Sequence, residues 1–248
     1  MENTEKSRFG LVGKNISYSF SKGYFIQKFK DLGLDHHFYE NFDLASIDDF
    51  QNLIKQNKNL KGLNVTIPYK EVVIPYLDEL NPKAEKIGAV NTIKFTKKGL
   101  KGFNTDIYGF KESIKPFLNK HHKKALLLGT GGASKAVAFV FDEIGIKFKY
   151  VSRNPKKSQL GYSDLNEKLF KEYTIMVNCT PQGTFPNIAD KPDIPYQFIT
   201  KKHLLFDLIY NPEKTAFLLE GEKRGAYICN GLRMLELQAE KSWEIWNS

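Results

Sequence analysis

The chain has 248 residues, 41% of them hydrophobic, and this length exceeds that of a typical single domain, so we expect two domains. Its formal net charge of +9 comes from scattered lysines without a basic run or zinc-finger spacing, which gives little support to a nucleic-acid partner. The polar first eight residues, the absence of any run of roughly 18 apolar residues, and two cysteines outside any C-x-x-C pair predict a cytoplasmic protein without membrane association.

Strand-like and helix-like segments alternate through the first hundred residues. The predicted strands cover residues 9–13, 37–42 and 62–66, followed by a hairpin of 90–95 and 100–103. The predicted helices cover residues 20–32, 46–56 and 69–80. Ser19 or Ser21 is available as the N-cap of the first helix, and Pro75 should interrupt the third.

The alternation restarts at residue 125. Further strands are predicted at 125–128, 148–151, 174–178, 204–208 and 227–229, with a helix at 133–144. Strands separated by helical segments favour a parallel sheet with right-handed crossovers. We therefore predict two α/β domains, an N-terminal substrate-binding domain and a C-terminal Rossmann-like dinucleotide-binding domain. The predicted bounds are residues 1–106 and 107–231, with a C-terminal helix (232–248) packing back across the junction.

A glycine-rich turn follows the first strand of the second domain. Residues 126–136 read LLLGTGGASKA, an apolar strand, a tight turn and the start of a helix, which is typical of a pyrophosphate-binding site. The candidate cofactor-binding residues of this turn are Gly129, Thr130, Gly131, Gly132 and Ala133. Because the spacing departs from G-x-G-x-x-G, a strand-to-helix connection without a ligand is the alternative.

A basic segment ends the next strand. An acidic residue at this point would bind the ribose 2′-hydroxyl of NAD, but the chain has Ser152, Arg153 and then Lys156. These side chains favour a 2′-phosphate, so the predicted cofactor is NADP(H) and the chain is predicted to be a reductase. Taken alone, Arg153 could equally be a solvated loop charge.

Seven short segments carry a resemblance to a known family. Four lie in the first domain, at residues 13–21 (GKNISYSFS), 64–70 (NVTIPYK), 88–92 (GAVNT) and 102–106 (GFNTD). Three lie further on, at residues 177–183 (VNCTPQG), 206–212 (FDLIYNP) and 231–238 (GLRMLELQ). In order and spacing, from about residue 9 to residue 246, the chain resembles the shikimate dehydrogenase family.

The resemblance places the catalytic pair on Lys70 and Asp106. The chemistry agrees, because hydride addition to a ketone leaves negative charge on the oxygen, and a lysine ammonium can stabilise and protonate that oxygen. Asp106 would orient the ammonium and bind a substrate hydroxyl. Taken alone, Lys70 could be a surface lysine and Asp106 a helix cap.

The resemblance also implies the rest of the substrate site. Ser19 and Ser21 would bind the substrate carboxylate, although both could simply cap the following helix. The remaining substrate-binding candidates are Thr66, Asn91, Tyr210 and Gln238. Lys14-Asn15 and Ser21-Lys22 stand where the family usually has Asn-Pro and Ser-Pro, which predicts a looser loop. No metal site is expected, since the adjacent histidines His36-His37 and His121-His122 should point to opposite faces and are predicted to lie at the surface.

The resemblance therefore implies NADPH-dependent, reversible reduction of 3-dehydroshikimate to shikimate, in chorismate and aromatic amino acid biosynthesis. One alternative is a quinate/shikimate dehydrogenase that uses NAD or both cofactors. A second is a non-catalytic ligand-binding protein, and a nucleic-acid-binding protein would rest on the charge alone. The expected partner is a small-molecule substrate, with the protein a monomer or homodimer.

Overall fold

The computed structural model describes residues 6–17 and 19–248, which divide into two compact units. The first unit contains the described residues up to Thr105 together with Ala239–Ser248, and the second is Asp106–Gln238. Within the described part of the chain, no helix has both the length and the apolar content that a membrane span requires.

The first unit is built on a mixed six-stranded sheet in the order β2-β1-β3-β5-β6-β4. Its elements are β1 (Ser7–Gly13), α1 (Phe20–Asp31), β2 (His37–Asp43), α2 (Phe50–Gln56), β3 (Leu60–Val65), β4 (Glu79–Leu80), α3 (Pro82–Ile87), β5 (Thr92–Thr96) and β6 (Gly99–Phe103). β1 pairs in parallel with β2 and β3, whereas β5 is antiparallel to both β3 and β6. The hairpin predicted from the sequence is therefore confirmed.

The predicted helix at residues 69–80 is wrong. The segment forms turns, a single 3-10 turn (Ile74–Tyr76) and the short strand β4, because Pro75 has no N–H to donate to a helical ladder. The helix lies slightly later, in α3, which the sequence analysis missed. Asn81 caps α3 by accepting from the Lys83 N–H, and Gly88 ends it with a left-handed φ of 68°.

The second unit contains a parallel six-stranded sheet in the order β12-β11-β10-β7-β8-β9. Its elements are α4 (Asp106–Ile114), β7 (Lys124–Leu128), α5 (Gly132–Glu143), β8 (Lys147–Ser152), β9 (Leu160–Gly161), α6 (Glu167–Glu172), β10 (Ile175–Asn178), β11 (Leu204–Asp207), α7 (Ala216–Glu222), β12 (Tyr227–Cys229) and the first part of α8 (Leu232–Asn247). Counted from β7, this is the dinucleotide-binding order 3-2-1-4-5-6, with the order reversing between β7 and β10. The predicted Rossmann-like fold is confirmed.

The C-terminal part of α8 belongs to the first unit and completes its core. Trp246 is buried and packs against Phe9 and Phe25, with ring centroids 4.9 and 5.3 Å away. Its indole Nε1 donates to the Ile93 carbonyl oxygen at 3.0 Å. A Cβ on Gly62 would meet this indole at 2.3 Å, so that glycine makes the close approach possible.

Candidate active site

All four N-terminal motifs leave the first sheet at one edge. β1 and β3 are parallel and end together, and the Thr66 N–H donates to the Val12 carbonyl at 2.9 Å. β5 is antiparallel to β3, so its start at Thr92, just after Asn91, lies at the same edge. β6 ends there as well, with Phe103 opposite Thr92. The topology therefore gathers segments that are distant in sequence.

Backbone hydrogen bonds fix Lys70 beside the Asn91 segment. The Lys70 carbonyl accepts from the Val90 N–H at 2.7 Å. The preceding Tyr69 is buried and donates its hydroxyl to the Leu44 carbonyl at 2.6 Å. Lys70 itself lies in a turn with its side chain partly exposed, outside the helix predicted at residues 69–80.

Asn91 is held by donors on both sides of its amide oxygen. Its Oδ1 accepts from the Thr105 backbone N–H at 2.7 Å and from the Thr105 hydroxyl at 3.1 Å. It also accepts from the Thr92 hydroxyl at 3.2 Å. Thr105 directly precedes Asp106, a buried residue that begins α4 and the second unit. The Asn91 amide thus anchors the backbone that leads into the candidate catalytic aspartate.

Ser19 and Ser21 lie at the start of α1. Ser19 is the N-cap and accepts from the Ser21 N–H at 3.2 Å, while Ser21 is buried and hydrogen-bonded to the Tyr39 hydroxyl. Burial raises the pKa of Tyr39, and the Ser21 hydrogen bond opposes that rise. Ser19 therefore caps the helix, and Ser21 joins the polar interior of the sheet.

Side chains of β2 fasten the loop that leads to these serines. The Asp43 carboxylate accepts from the backbone N–H groups of Asn15 at 2.9 Å and Ile16 at 3.2 Å. Asn41 Nδ2 donates to the Ile16 carbonyl at 2.8 Å. Three hydrogen bonds therefore tie the loop to the sheet. The Asn15 N–H that binds Asp43 is a donor that a proline would lack.

The glycine turn of the second unit fits a pyrophosphate group. Gly129 has a φ of +104°, which favours glycine, and its N–H donates to the Val151 carbonyl at 2.9 Å. Gly131 is the N-cap of α5 without a side-chain cap, and a Cβ built on it would meet no atom within 4 Å. Open space beside uncapped first-turn N–H groups is the arrangement that binds phosphate. Thr130, Gly132 and Ala133 complete the turn.

The basic segment starts at the same level of this sheet. Leu128 pairs with Val151, so the glycine turn and the segment from Ser152 leave adjacent strand ends. Ser152 Oγ accepts from the Asn154 N–H at 3.2 Å, forming a turn. The side chains exposed on this turn are Arg153, Lys156 and Lys157. They give it a cationic surface next to the candidate pyrophosphate site.

A buried polar cluster under the loops after β10 and β11 was not predicted. Asp207 is fully buried and accepts from Asn178 Nδ2 at 3.0 Å, from Thr215 Oγ1 at 2.6 Å and from the Ile209 N–H at 3.0 Å. Burial raises its pKa to about 6, against the lowering effect of these hydrogen bonds. Asn178 Oδ1 in turn accepts from the Thr180 hydroxyl at 2.7 Å. A signal was available, since polar residues at adjacent parallel strand ends meet at one edge.

The two remaining substrate-binding candidates lie in the second unit, and the predicted position of one histidine is wrong. Tyr210 is partly exposed in the loop after β11, and Gln238 is buried in α8, donating to the Leu235 carbonyl at 2.9 Å. His122 is buried, contrary to the predicted surface position, because its ring nitrogens bond to the Asn119 N–H and the Lys202 carbonyl. Within residues 6–17 and 19–248, no cluster of three or more His, Cys, Asp or Glu side chains could hold a metal ion.

Comparison with known proteins shows the family of this chain. Residues 11–93 match the family described as "Shikimate dehydrogenase substrate binding domain". A Clostridium botulinum protein named shikimate dehydrogenase (NADP(+)) is 38% identical over 248 aligned residues, covering 96% of this chain and 95% of the relative. The chain belongs to the shikimate dehydrogenase family.

Solved structures of this family share the fold over nearly the whole chain. Shikimate dehydrogenase 1 from Peptoclostridium difficile is 38% identical, covers 97% of this chain and 91% of its own, and superposes with a TM-score of 0.83. The Thermus thermophilus shikimate 5-dehydrogenase, solved with NADP(H) and shikimate, is 30% identical, with coverage of 97% and 93% and a TM-score of 0.85. The resemblance and the two-domain fold inferred from the sequence are both confirmed.

Proposed function

We propose that this protein catalyses the NADPH-dependent, reversible reduction of 3-dehydroshikimate to shikimate, a step of chorismate and aromatic amino acid biosynthesis. The observation that carries the proposal is the polar edge of the first sheet. It gathers Lys70, Thr66 and Asn91 beside the backbone that enters Asp106. A small polyol acid needs this combination of a proton donor and several neutral hydrogen-bonding groups.

The second unit would bind the cofactor. The glycine turn and the N–H groups of the first turn of α5 suit the pyrophosphate, and Arg153 with Lys156 suits a 2′-phosphate. Thr180 packs closely against this turn, since a Cβ on Gly129 would meet its Cγ2 at 3.0 Å. NADPH, when bound, supplies the hydride for the reduction.

Lys70 would stabilise and protonate the oxygen that becomes charged as the ketone is reduced. Asp106 would orient the Lys70 ammonium and accept a hydrogen bond from a neighbouring substrate hydroxyl. Thr66 and Asn91 would bind the ring hydroxyls, and Ser19 and Ser21 the carboxylate. A positioned proton donor of this kind contributes a factor of roughly 10² to 10⁴ in rate. Tyr210 and Gln238 are proposed as further substrate contacts.

The test measures NADPH consumption with 3-dehydroshikimate by the wild type, Lys70→Ala and the control variant Lys97→Ala. Lys97 is exposed in the β5–β6 turn, so its loss removes a charge without touching the site. We expect wild-type turnover, a fall in kcat of roughly 10²-fold or more in Lys70→Ala, and no change in the control. No turnover with NADPH or NADH would refute the proposed function, and full activity of Lys70→Ala would refute the role of the lysine.

Two further measurements address the alternatives. In the oxidative direction, shikimate should be oxidised faster than quinate, and NADP⁺ should support a higher rate than NAD⁺. A preference for quinate would favour the quinate/shikimate alternative. We also propose a cytoplasmic location, because both cysteines are free thiols, which suits a reducing compartment. Light scattering at several concentrations would decide between monomer and homodimer.

A further inference from the structure

The C-terminal helix contributes one hydroxyl to the interior of the first sheet. Ser242 is fully buried in the part of α8 that belongs to the first unit. Its Oγ lies 2.9 Å from Asn64 Nδ2, 2.8 Å from Thr92 Oγ1 and 3.2 Å from Thr105 Oγ1. These three partners are themselves buried, so the hydroxyl joins a polar cluster closed to solvent.

This cluster leads directly to Asn91. The hydroxyls of Thr92 and Thr105, which both contact Ser242, also reach Asn91 Oδ1 at 3.2 and 3.1 Å. At the opposite end, Asn64 Oδ1 accepts from the Tyr39 hydroxyl at 2.8 Å. Ser242 therefore lies between the two ends of one continuous hydrogen-bonded network.

The donors in this network give it a direction. Asn64 Nδ2 can only donate, so Ser242 Oγ accepts there and keeps its own proton for Thr92 or Thr105. A threonine hydroxyl that accepts from Ser242 directs its single proton elsewhere, either to Asn91 Oδ1 or to the other threonine hydroxyl, 3.2 Å away, which can then donate to Asn91 Oδ1. Asn64 Nδ2, 3.3 Å from Thr92 Oγ1, favours the same direction, because it can only donate. The Thr105 backbone N–H, at 2.7 Å, reinforces the same orientation of the amide. A flipped Asn91 would place an NH₂ group against these donors.

We propose that Ser242 is a positioning residue of the substrate site. Its hydroxyl donates to one of the two threonine hydroxyls and thereby directs the proton chain that ends on Asn91 Oδ1, which leaves the Asn91 Nδ2 group to donate to a substrate hydroxyl. This inference rests on the proposed function, in which Asn91 binds a ring hydroxyl. It assigns a role in substrate binding to a residue in the C-terminal helix that touches no substrate atom itself.

The test uses Ser242→Ala, with Ser113→Ala as the matched control. Ser113 is also a buried helical serine, but its Oγ donates to the Phe110 carbonyl at 3.0 Å in the second unit. We expect Ser242→Ala to raise the KM for shikimate about fivefold to tenfold and to leave the KM for NADP⁺ unchanged. The control should change neither. Equal changes in both KM values, or none in the shikimate KM, would overturn the proposal.

A double-mutant cycle gives a readout that a purely structural role would not change. In an Asn91→Ala background, Ser242→Ala should cause no further rise in the shikimate KM, since the amide that it orients is absent. Independent, multiplying effects would overturn the proposal. If Ser242→Ala folds poorly, Thr105→Val can replace it, because it removes a hydroxyl that links Ser242 to Asn91. It should likewise raise the KM for shikimate and not that for NADP⁺.

Thermal stabilisation by shikimate alone distinguishes failure of the proposed function from failure of the role of Ser242. If shikimate neither stabilises the wild type nor is turned over, the proposed function fails, and with it the role of Asn91. If the wild type is stabilised and Ser242→Ala is stabilised equally at every shikimate concentration, only the role of Ser242 fails.

Discussion

The ionisation of Asp207 should make the free energy of unfolding depend on pH, and the substitution Asp207→Asn should abolish this dependence. The side chain is fully buried, and burial raises its pKa from 3.8 to about 6 despite three hydrogen bonds. Its folded-state pKa lies above its unfolded-state value, so the folded state binds the proton more tightly. The contribution of Asp207 to the free energy of unfolding therefore rises as the pH falls through 6, and it reaches its full value below the unfolded-state pKa.

The size of the effect follows from the two pKa values. Between pH 7 and pH 5, protonation of Asp207 should add about 1.3 kcal/mol to the free energy of unfolding, from linkage at 1.36 kcal/mol per pKa unit. Asp207→Asn keeps the shape of the side chain and has no proton to bind. The difference in unfolding free energy between wild type and Asp207→Asn should therefore increase by that amount over this interval.

Urea denaturation at pH 7, 6 and 5 provides the measurement. Asp142→Asn is the matched control, because Asp142 is exposed on α5 and its replacement should give a curve parallel to the wild type. Parallel curves for the wild type and Asp207→Asn would show that Asp207 keeps a near-normal pKa, and the argument from burial would then be wrong.

Three other outcomes follow from contacts described above. Arg153→Ala should raise the KM for NADPH about tenfold or more and leave the KM for NADH nearly unchanged in initial-rate assays, because only NADPH carries the 2′-phosphate; equal changes would exclude this role. Asp43→Ala removes the acceptor of two loop N–H groups and should raise the KM for shikimate about threefold to tenfold with little change in kcat, whereas an unaltered KM would mean that the loop holds itself. Trp246→Ala should lower the free energy of unfolding by about 3–5 kcal/mol in urea titrations, and a loss below 1 kcal/mol would contradict its place in the core.

The alternation of apolar and polar residues was enough to predict most of the fold. The strand, glycine turn and helix around Gly129 stand where they were expected, because their periodicity and turn residues point to one structure. The segment from Tyr69 to Leu80 failed for a clear reason. Tyr69 and Val73 have helical spacing and are both buried, but they reach the core from consecutive turns. Apolar spacing alone does not distinguish these cases.

The site divides in a similar way. Lys70 and Asn91 could be singled out because they lie in segments that carry the family resemblance (64–70 and 88–92). Ser242 could not be singled out, since its partner Asn64 lies 178 residues away and a serine in a helical segment gives no sequence signal for a buried hydrogen bond. The hydrogen bond from the Asn15 N–H to Asp43 could not be predicted for the same reason, since donor and acceptor are 28 positions apart in the sequence.

The two buried polar clusters have a common position, since each includes residues at the ends of neighbouring strands, Thr92 in the first sheet and Asn178 and Asp207 in the second. Burying hydroxyls, amides and a carboxylate costs free energy unless every group is paired, whereas apolar side chains of similar shape would fill the same space without that cost. Stability therefore does not explain why Thr92, Thr105 and Ser242 are polar. The positioning role proposed for Ser242 would explain it, because apolar side chains could not add hydroxyl donors to the Thr105 N–H that holds Asn91 Oδ1. By this argument, Thr92→Val should raise the KM for shikimate in initial-rate assays, and it should also lower the free energy of unfolding, because it removes a hydrogen-bond partner of the buried Asn64 and Ser242 side chains.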